Sequence, residues 1–140
     1  MAAFTLEDFP ISTYDKVRYG DTDRQGHVNN SVFNSFLETG RVELLYNNLN
    51  PLHLEGSTFV IASLQINFLK EIHWPGKVEI GTGVTRIGNS SFTLFQMLFQ
   101  HGKCVADATT VIVQVDGETG KGAPLSDETR AAFEKLLLKE

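Results

Sequence analysis

The sequence of 140 residues has little cysteine and little positive charge. Its one cysteine, Cys104, excludes a disulfide within the chain, which fits a reducing compartment. Cys104 stands in an apolar, strand-like context, so we expect a small core side chain rather than a nucleophile. With 12 basic and 17 acidic residues, the net charge is −5, which argues against nucleic acid as a partner. Any positive charge that attracts an anionic substrate must therefore be local.

The sequence also lacks long apolar runs. No stretch reaches the roughly 20 apolar residues that cross a bilayer, so no membrane partner is expected. Residues 1–10 include Glu7 and Asp8 and do not resemble a signal peptide. These absences predict a cytoplasmic protein.

Motifs that hold metals or cofactors are missing as well. His53, His73 and His101 do not have the spacing of a metal site. There is no Gly-rich phosphate loop and no Ser-His-Asp set, so we expect no metal and no cofactor.

Strand-like and helix-like apolar patterns follow one another along the chain, and its length predicts one domain over residues 1–140. The first predicted element is a strand over 14–20, and a long helix that ends at 47–51 follows it. The apolar face of this helix is Phe33, Phe36, Leu37, Gly40, Leu44 and Leu45. Four further strands are predicted over 58–74, 77–86, 91–100 and 104–116, and a short helix capped by Ser126 ends the series. Short turns join most of the later strands, which makes such strands antiparallel neighbours. The chain is thus predicted to be an α+β domain in which a curled antiparallel sheet wraps one long helix.

Polar side chains are concentrated in residues 19–30, directly before the long helix. Asp, Gly and Asn favour turns, and Asn is a good N-cap, so this segment is predicted to be a loop that opens the helix. The N–H groups of a helix N-terminus suit a developing negative charge. A carboxylate beside them, such as that of Asp23, is able to act as a nucleophile or general base. The alternative is that Asp23 only forms the turn or caps the helix.

The residues of this loop and of the helix start carry a family resemblance. Asp21-Thr22-Asp23, then Gly26-His27-Val28-Asn29-Asn30, and then Phe33, Phe36, Leu37, Glu38 and Arg41 resemble the hotdog-fold acyl thioesterases. This is the 4-hydroxybenzoyl-CoA thioesterase-like group, with its acyl-CoA thioester hydrolase branch and, more distantly, the acyl-ACP thioesterases. The resemblance implies a hotdog fold that hydrolyses an acyl thioester, acyl-CoA or acyl-carrier protein, to free acid and thiol.

The same resemblance assigns roles to three residues of the loop and helix start. Asp23 matches the catalytic carboxylate, and Asn30 matches the position whose backbone N–H polarises the thioester carbonyl. His27 takes part directly or orients the loop. A similar acyl-ACP thioesterase motif would use Asp23, an Asn and His27, but Gln25 replaces the Asn here. Asp21 is expected to be structural.

Substrate-binding positions are implied both in the loop and elsewhere in the chain. They are Gly26, Val28, Asn29, Phe33, Phe59, Arg86, Ser90 and Ser91. One branch of the family grips the nucleotide phosphate with basic residues in the turn after residue 87. This chain has Gly88, Asn89 and Ser90 there, and Arg86 is the nearest positive charge. Phosphate binding by this turn is therefore not expected, and a carrier-protein substrate, or CoA held by other residues, stays open.

Three alternatives remain open from the sequence. Glu38 lies on the helix, and a branch of these enzymes uses a helix Glu as the attacking carboxylate, but Glu38 is not matched to that position. Pairing with Arg41 or Lys70, or acceptance of backbone hydrogen bonds under the loop, is the simpler interpretation. The other two alternatives concern function: the chain is a non-catalytic acyl-binding or scaffold protein of the same fold, or it is a hydratase that adds water to an enoyl thioester.

The resemblance also implies a homodimer, or a homotetramer, in which Asp23 faces the strand around residues 59–67 of the other subunit.

Overall fold

The computed structural model describes residues 4–24, 26–46 and 52–139. Within these ranges the elements are β1 (Ile11–Lys16), α1 (Asn30–Tyr46), β2 (Ser57–Phe68), β3 (Lys77–Ile87), β4 (Ser91–Gln100), β5 (Lys103–Asp116) and α2 (Asp127–Glu134). Gln25 and the predicted helix end at residues 47–51 lie outside the described residues. Neither described helix is long and apolar enough to cross a membrane.

The five strands form one antiparallel sheet in the order β1-β3-β4-β5-β2, and α1 lies against one face of it. The expected pairing of β3 with β4 and of β4 with β5 is confirmed. The exception is β2, which does not pair with β3 but lies at the far edge beside β5. The connection over residues 69–76 is no tight turn, and it carries the chain past two strands before β3 begins.

Two strand boundaries differ from the predicted ones for local reasons. β1 covers Ile11–Lys16 rather than 14–20, because the chain then turns through a short 3-10 segment at Tyr19–Asp21. β2 ends at Phe68 rather than near residue 74. The N–H groups of Leu69 and Lys70 both donate to Val105 O, at 2.9 and 3.0 Å, which ends the regular ladder.

The predicted apolar face of α1 is confirmed. Its buried residues are Phe33, Phe36, Leu37, Gly40, Arg41, Leu44 and Leu45. The first half of the helix packs in a core cluster with Val78, Ile80 and Leu98, and the second half packs with Phe92 and Phe133. Because both halves are fixed, the N-terminus of α1 is held at one end of the sheet.

At Gly40, α1 lies very close to the sheet. A Cβ there would lie 2.6 Å from Gln96 Nε2, 2.6 Å from Ile80 Cγ2 and 2.7 Å from Thr82 Oγ1. Gln96 is buried and its Nε2 donates to Leu37 O at 3.0 Å, which ties the helix to β4 at this crossing. The expected close approach of helix and sheet is confirmed.

Replacing Gly40 with alanine is expected to destabilise the fold. Overpacking a tight core costs roughly 1–3 kcal/mol, and the helix propensity of about 1 kcal/mol that alanine gains over glycine offsets only the lower end of that range. Urea unfolding followed by circular dichroism measures the change in the free energy of unfolding. Gly20→Ala is the matched control, since a Cβ at Gly20 meets nothing within 4 Å. A Gly40→Ala protein at least as stable as the wild type would contradict the close approach.

Candidate active site

The loop that carries Asp23 is closed by backbone hydrogen bonds. Thr22 and Val28 form an antiparallel bridge, and Asp23 N–H donates to His27 O at 2.8 Å. Gly26 N–H donates to Asp23 O at 3.2 Å, with Gly26 at φ 82°, in the left-handed region that glycine adopts without strain. The role that the structure gives to Gly26 is therefore to form the turn that sets Asp23 beside His27.

Asp21 anchors the base of this loop. Its side chain is buried, and Oδ2 accepts the backbone N–H of Arg18 at 2.9 Å while Oδ1 accepts from Arg18 Nη2 at 2.9 Å. The backbone O of Asp21 also accepts Asn29 N–H at 2.9 Å. The expected structural role of Asp21 is confirmed.

The start of α1 is organised by Asn29. Its side-chain Oδ1 accepts Ser31 N–H at 3.1 Å, and its backbone O accepts Val32 N–H at 2.9 Å. Asn30 is the first residue of the helix, and the first N–H groups of a helix have no partner within it. The backbone N–H of Asn30 therefore belongs to the positive end of the helix, where it is suited to hold an oxygen that gains negative charge.

A pocket of about 470 Å³ joins the loop to the helix start. It is lined by Asp23, His27, Val28, Asn29, Asn30, Phe33, Phe68, Leu69, Lys70 and Glu71. The first six are candidates from the sequence, and the structure brings them together. The other four come from the end of β2 and the connection behind it, and the sequence did not single out any of them as part of the site.

Of the other predicted substrate-binding residues, Gly26 lies in the loop but is not among the residues that line the pocket, and the rest lie elsewhere in the chain. Phe59 lies near the opposite end of β2 from Phe68, and nine residues of extended strand span about 30 Å. Its ring contacts Phe92 instead, with centroids 5.2 Å apart. Within one chain, Phe59 therefore does not line the pocket of Asp23.

The turn between β3 and β4 is also separate from this pocket. Arg86 is exposed on β3, and Ser90 O accepts Gln114 N–H at 2.8 Å. Ser91 O closes the turn by accepting Gly88 N–H at 2.7 Å. None of these three residues is among those that line the pocket of Asp23.

A cluster of titratable side chains at the pocket rim was missed by the sequence reasoning. His27 Nε2 lies 3.1 Å from Glu71 Oε2, and His73 Nε2 lies 3.9 Å from the same oxygen. The sequence carried one usable signal, because Glu71 and His73 flank the fully buried Ile72 and so share the exposed side of an extended segment. Only the tertiary fold adds His27 to them.

Two other candidates from the sequence, Cys104 and Glu38, are not among the residues that line the pocket of Asp23. Cys104 is half-buried, and burial raises the pKa of its thiol, whose Sγ donates to Ala106 O at 3.4 Å; a raised pKa disfavours the thiolate that a nucleophile needs. Glu38 is exposed, and none of the ion pairs found among the described residues joins it to Arg41 or Lys70. Burial lowers the pKa of Arg41, and the nearby charge of Glu38 opposes that shift.

Comparison with known proteins places this fold and loop in a family. Residues 17–133 match the thioesterase-like superfamily, and they include the whole of the loop and helix described above. The chain belongs to the thioesterase-like superfamily. This match agrees with the resemblance that the loop residues carry.

Solved structures of similar chains support the same assignment. A thioesterase from Thermus thermophilus, solved in complex with coenzyme A and Zn, is 29% identical with a TM-score of 0.82, covering 96% of this chain and 98% of its own. A predicted thioesterase from Bacillus stearothermophilus is 26% identical with a TM-score of 0.81, covering 92% of this chain and 97% of its own. The uncharacterised protein YsmA of Bacillus subtilis strain 168 is 29% identical over 116 residues, which are 81% of this chain and 78% of YsmA.

The family match and the solved structures show the fold and support the general chemistry of this thioesterase-like chain. Its curled antiparallel sheet with one long helix is the hotdog fold. Family membership and the thioesterases among its structural neighbours support hydrolysis of a thioester as the general activity.

Proposed function

We propose that this chain hydrolyses acyl-CoA thioesters and that Asp23 and the N-terminus of α1 carry the reaction. The observation that carries this proposal is the shared pocket, which Asp23 and Asn30 line together with the apolar rings of Phe33 and Phe68. The carboxylate supplies the nucleophile or base, the helix N-terminus stabilises the oxyanion, and the apolar rings offer a surface to the acyl group. The proposed domain is the whole chain, and the proposed location is the cytoplasm.

In the proposed reaction, Asp23 attacks the thioester carbonyl carbon or takes a proton from a water that attacks it. The carbonyl oxygen becomes an oxyanion, which accepts the backbone N–H of Asn30 and is stabilised by the positive end of α1. The carbonyl then re-forms as the carbon–sulfur bond breaks. In the general-base route the CoA sulfur takes the proton that Asp23 removed from water, and in the nucleophilic route it leaves as a thiolate that takes a proton from solvent. If Asp23 forms an anhydride first, water cleaves that bond to release the acid.

We assign His27 a positioning role rather than proton transfer. Its backbone N–H donates to Asp23 Oδ1 at 3.3 Å, while its ring lies against Glu71 at 3.1 Å. This places His27 between the carboxylate and the connection after β2. His27→Ala is therefore expected to lower activity less than loss of the Asp23 carboxylate does.

The pocket contains both an apolar region and one local cation. Phe33 and Phe68 meet edge to face with ring centroids 5.0 Å apart, which offers an apolar surface to the acyl group. Lys70 lines the same pocket and is exposed. It supplies the local positive charge that an anionic CoA or carrier-protein phosphate needs on a chain of net charge −5.

The nucleotide phosphate is not expected to be held by the turn after Arg86. Dephospho-CoA thioesters and the Arg86→Ala variant should lower kcat/KM by less than about fivefold, since exposed charge pairs contribute at most about 1 kcal/mol. Lys70→Ala is the comparison variant, and it should raise KM more because Lys70 borders the pocket. A large loss on removing the phosphate or Arg86 would contradict this assignment.

We further propose that the chain works as an isologous homodimer paired through the edge strand β2. Its twelve residues include no charged side chain, and Val60, Ile61 and Phe68 are 41%, 48% and 48% exposed. The other edge strand, β1, carries Asp15 and Lys16. Proteins protect long edge strands with charges or by pairing them, so β2 is the edge suited to pair with a second copy. Two dimers are then able to form a tetramer.

This pairing would explain why Phe59 is remote from Asp23 in one chain. A two-fold axis through the middle of β2 places the first half of one strand beside the second half of its copy. Phe59 of the partner subunit would then lie next to the segment that ends at Phe68, at the pocket. The proposed substrate site therefore takes residues from both subunits.

A panel of acyl-CoA substrates with detection of the released thiol tests the proposed activity. Saturable hydrolysis of at least one acyl-CoA is the expected result. Binding of acyl-CoA without release of thiol would favour the non-catalytic alternative, and loss of an enoyl double bond without thiol release would favour the hydratase.

A further inference from the structure

We propose that His27, Glu71 and His73 form a binding site for a late first-row divalent metal ion of the Zn²⁺ class at the rim of the Asp23 pocket. One ligand atom from each residue lies within 4.8 Å of the other two. Two imidazole nitrogens and one carboxylate oxygen are a donor set that such ions prefer. The site shares His27 and Glu71 with the lining of the Asp23 pocket, but neither Asp23 nor the Asn30 N–H is among its ligands.

The distances from Glu71 to the two imidazole nitrogens bracket the ligand spacing of a tetrahedral site. Metal–ligand bonds of about 2.0–2.2 Å put neighbouring ligand atoms about 3.3 Å apart. Glu71 Oε2 lies 3.1 Å from His27 Nε2 and 3.9 Å from His73 Nε2. His73 is 54% exposed, so a small rotation of its side chain closes the longer distance without moving the core.

The backbone holds the three residues in this arrangement. His27 and His73 face each other in an antiparallel bridge, and Val28 N–H donates to Ile72 O at 2.8 Å. Directly bridged residues place their side chains on one face, and the two imidazoles meet with centroids 5.1 Å apart. Glu71 joins the same side because it lies two residues before His73.

A buried amide fixes the position of His73. Gln100 is 4% exposed, its Oε1 accepts His73 N–H at 2.9 Å, and its Nε2 donates to His73 O at 2.8 Å. Because one buried side chain forms hydrogen bonds with both the N–H and the C=O of His73, the backbone of this ligand residue is held in place. Holding the main chain of a ligand residue reduces the conformational entropy that metal binding must remove.

The three protein ligands leave a fourth position toward solvent. His27, Glu71 and His73 are 28%, 60% and 54% exposed, so a hydrated ion reaches the cluster directly. An open fourth position is typical of metal sites that exchange a water or bind a further ligand. A bound ion would also tie the loop of His27 to the connection after β2.

Titration of the metal-free chain with ZnCl₂ by calorimetry, and with CoCl₂ by visible absorption, tests the site. Wild-type protein is expected to bind one Zn²⁺ per chain and to give the intense visible bands of tetrahedral Co²⁺. His73→Ala and Glu71→Gln should each weaken Zn²⁺ binding by at least about tenfold. His53→Ala is the matched control, since His53 lies against Tyr46 and Phe59 and is expected to leave binding unchanged.

The outcome does not depend on hydrolysis, because both titrations are made without substrate. Absence of saturable binding by the wild type would overturn the proposal, as would binding that His73→Ala leaves unchanged. Circular dichroism melting of each variant with no metal added checks that the variants are folded. A weakened titration by a folded His73→Ala protein supports the site directly.

Discussion

Asp23→Asn is expected to lower kcat for the best acyl-CoA by at least about 100-fold, because a positioned acid or base contributes roughly that much or more. The substitution keeps the size of the side chain and removes the carboxylate that attacks or takes the proton. Asp23 is exposed on the loop, so the melting temperature should change little. Steady-state kinetics with thiol detection, beside thermal unfolding of the same preparation, measures both effects.

Asp21→Asn is the matched control two residues away. Its carboxylate is buried and accepts the Arg18 backbone N–H, so this variant should lower the melting temperature by more than Asp23→Asn does. At a temperature where it remains folded, it should retain more activity than Asp23→Asn. Activity of Asp23→Asn within a few-fold of wild type would mean that Asp23 is neither the nucleophile nor the base.

Ile61→Lys is expected to convert the dimer to monomers and to abolish most hydrolysis. Ile61 lies in the middle of the uncharged edge strand β2, and a two-fold pair of strands would bring two such lysines close together. Like charges that face each other across paired strands are destabilising. Light scattering over a dilution series, with activity followed on the same samples, measures mass and catalysis together.

Ser12→Lys places the same charge on the opposite edge strand, β1, and is expected to leave both mass and activity unchanged. Ser12 is exposed there, so the substitution shows whether a new charge on any edge strand is enough to change mass or activity. A monomer that keeps full activity would contradict the shared site. A wild-type chain that is monomeric at every active concentration would do so as well.

The loop and helix start were predictable because their contacts are local. Asp23, Asn29 and Asn30 lie within a few residues of each other, and a cap bond such as Ser31 N–H to Asn29 Oδ1 spans only two positions. The limits of β4 follow for the same reason, since turn residues flank an alternating run on both sides. Residue type and near neighbours were enough for these features.

The inward face of the strands was not predictable from the same alternation. β4 has apolar residues on both faces, and its helix-facing positions include Gln96 between Leu94 and Leu98. Gln96 is buried because its amide finds Leu37 O and Thr82 Oγ1, partners that lie far away in sequence. Such partners favour the burial of a polar side chain, and sequence spacing does not reveal them.

The sequence by itself determined the apolar face of the long helix, the limits of β3, β4 and β5 to within a residue, and the contiguous loop that places Asp23 before the helix. Only the tertiary structure decided that β2 lies beside β5 at a free edge, that Phe59 and the turn after Arg86 are remote from Asp23, and that His27 meets Glu71 and His73. The physical reason is that turn and helix propensities act between near neighbours. Strand order and the meeting of distant side chains depend on long-range pairing, which is decided by the burial and hydrogen bonding of the whole sheet.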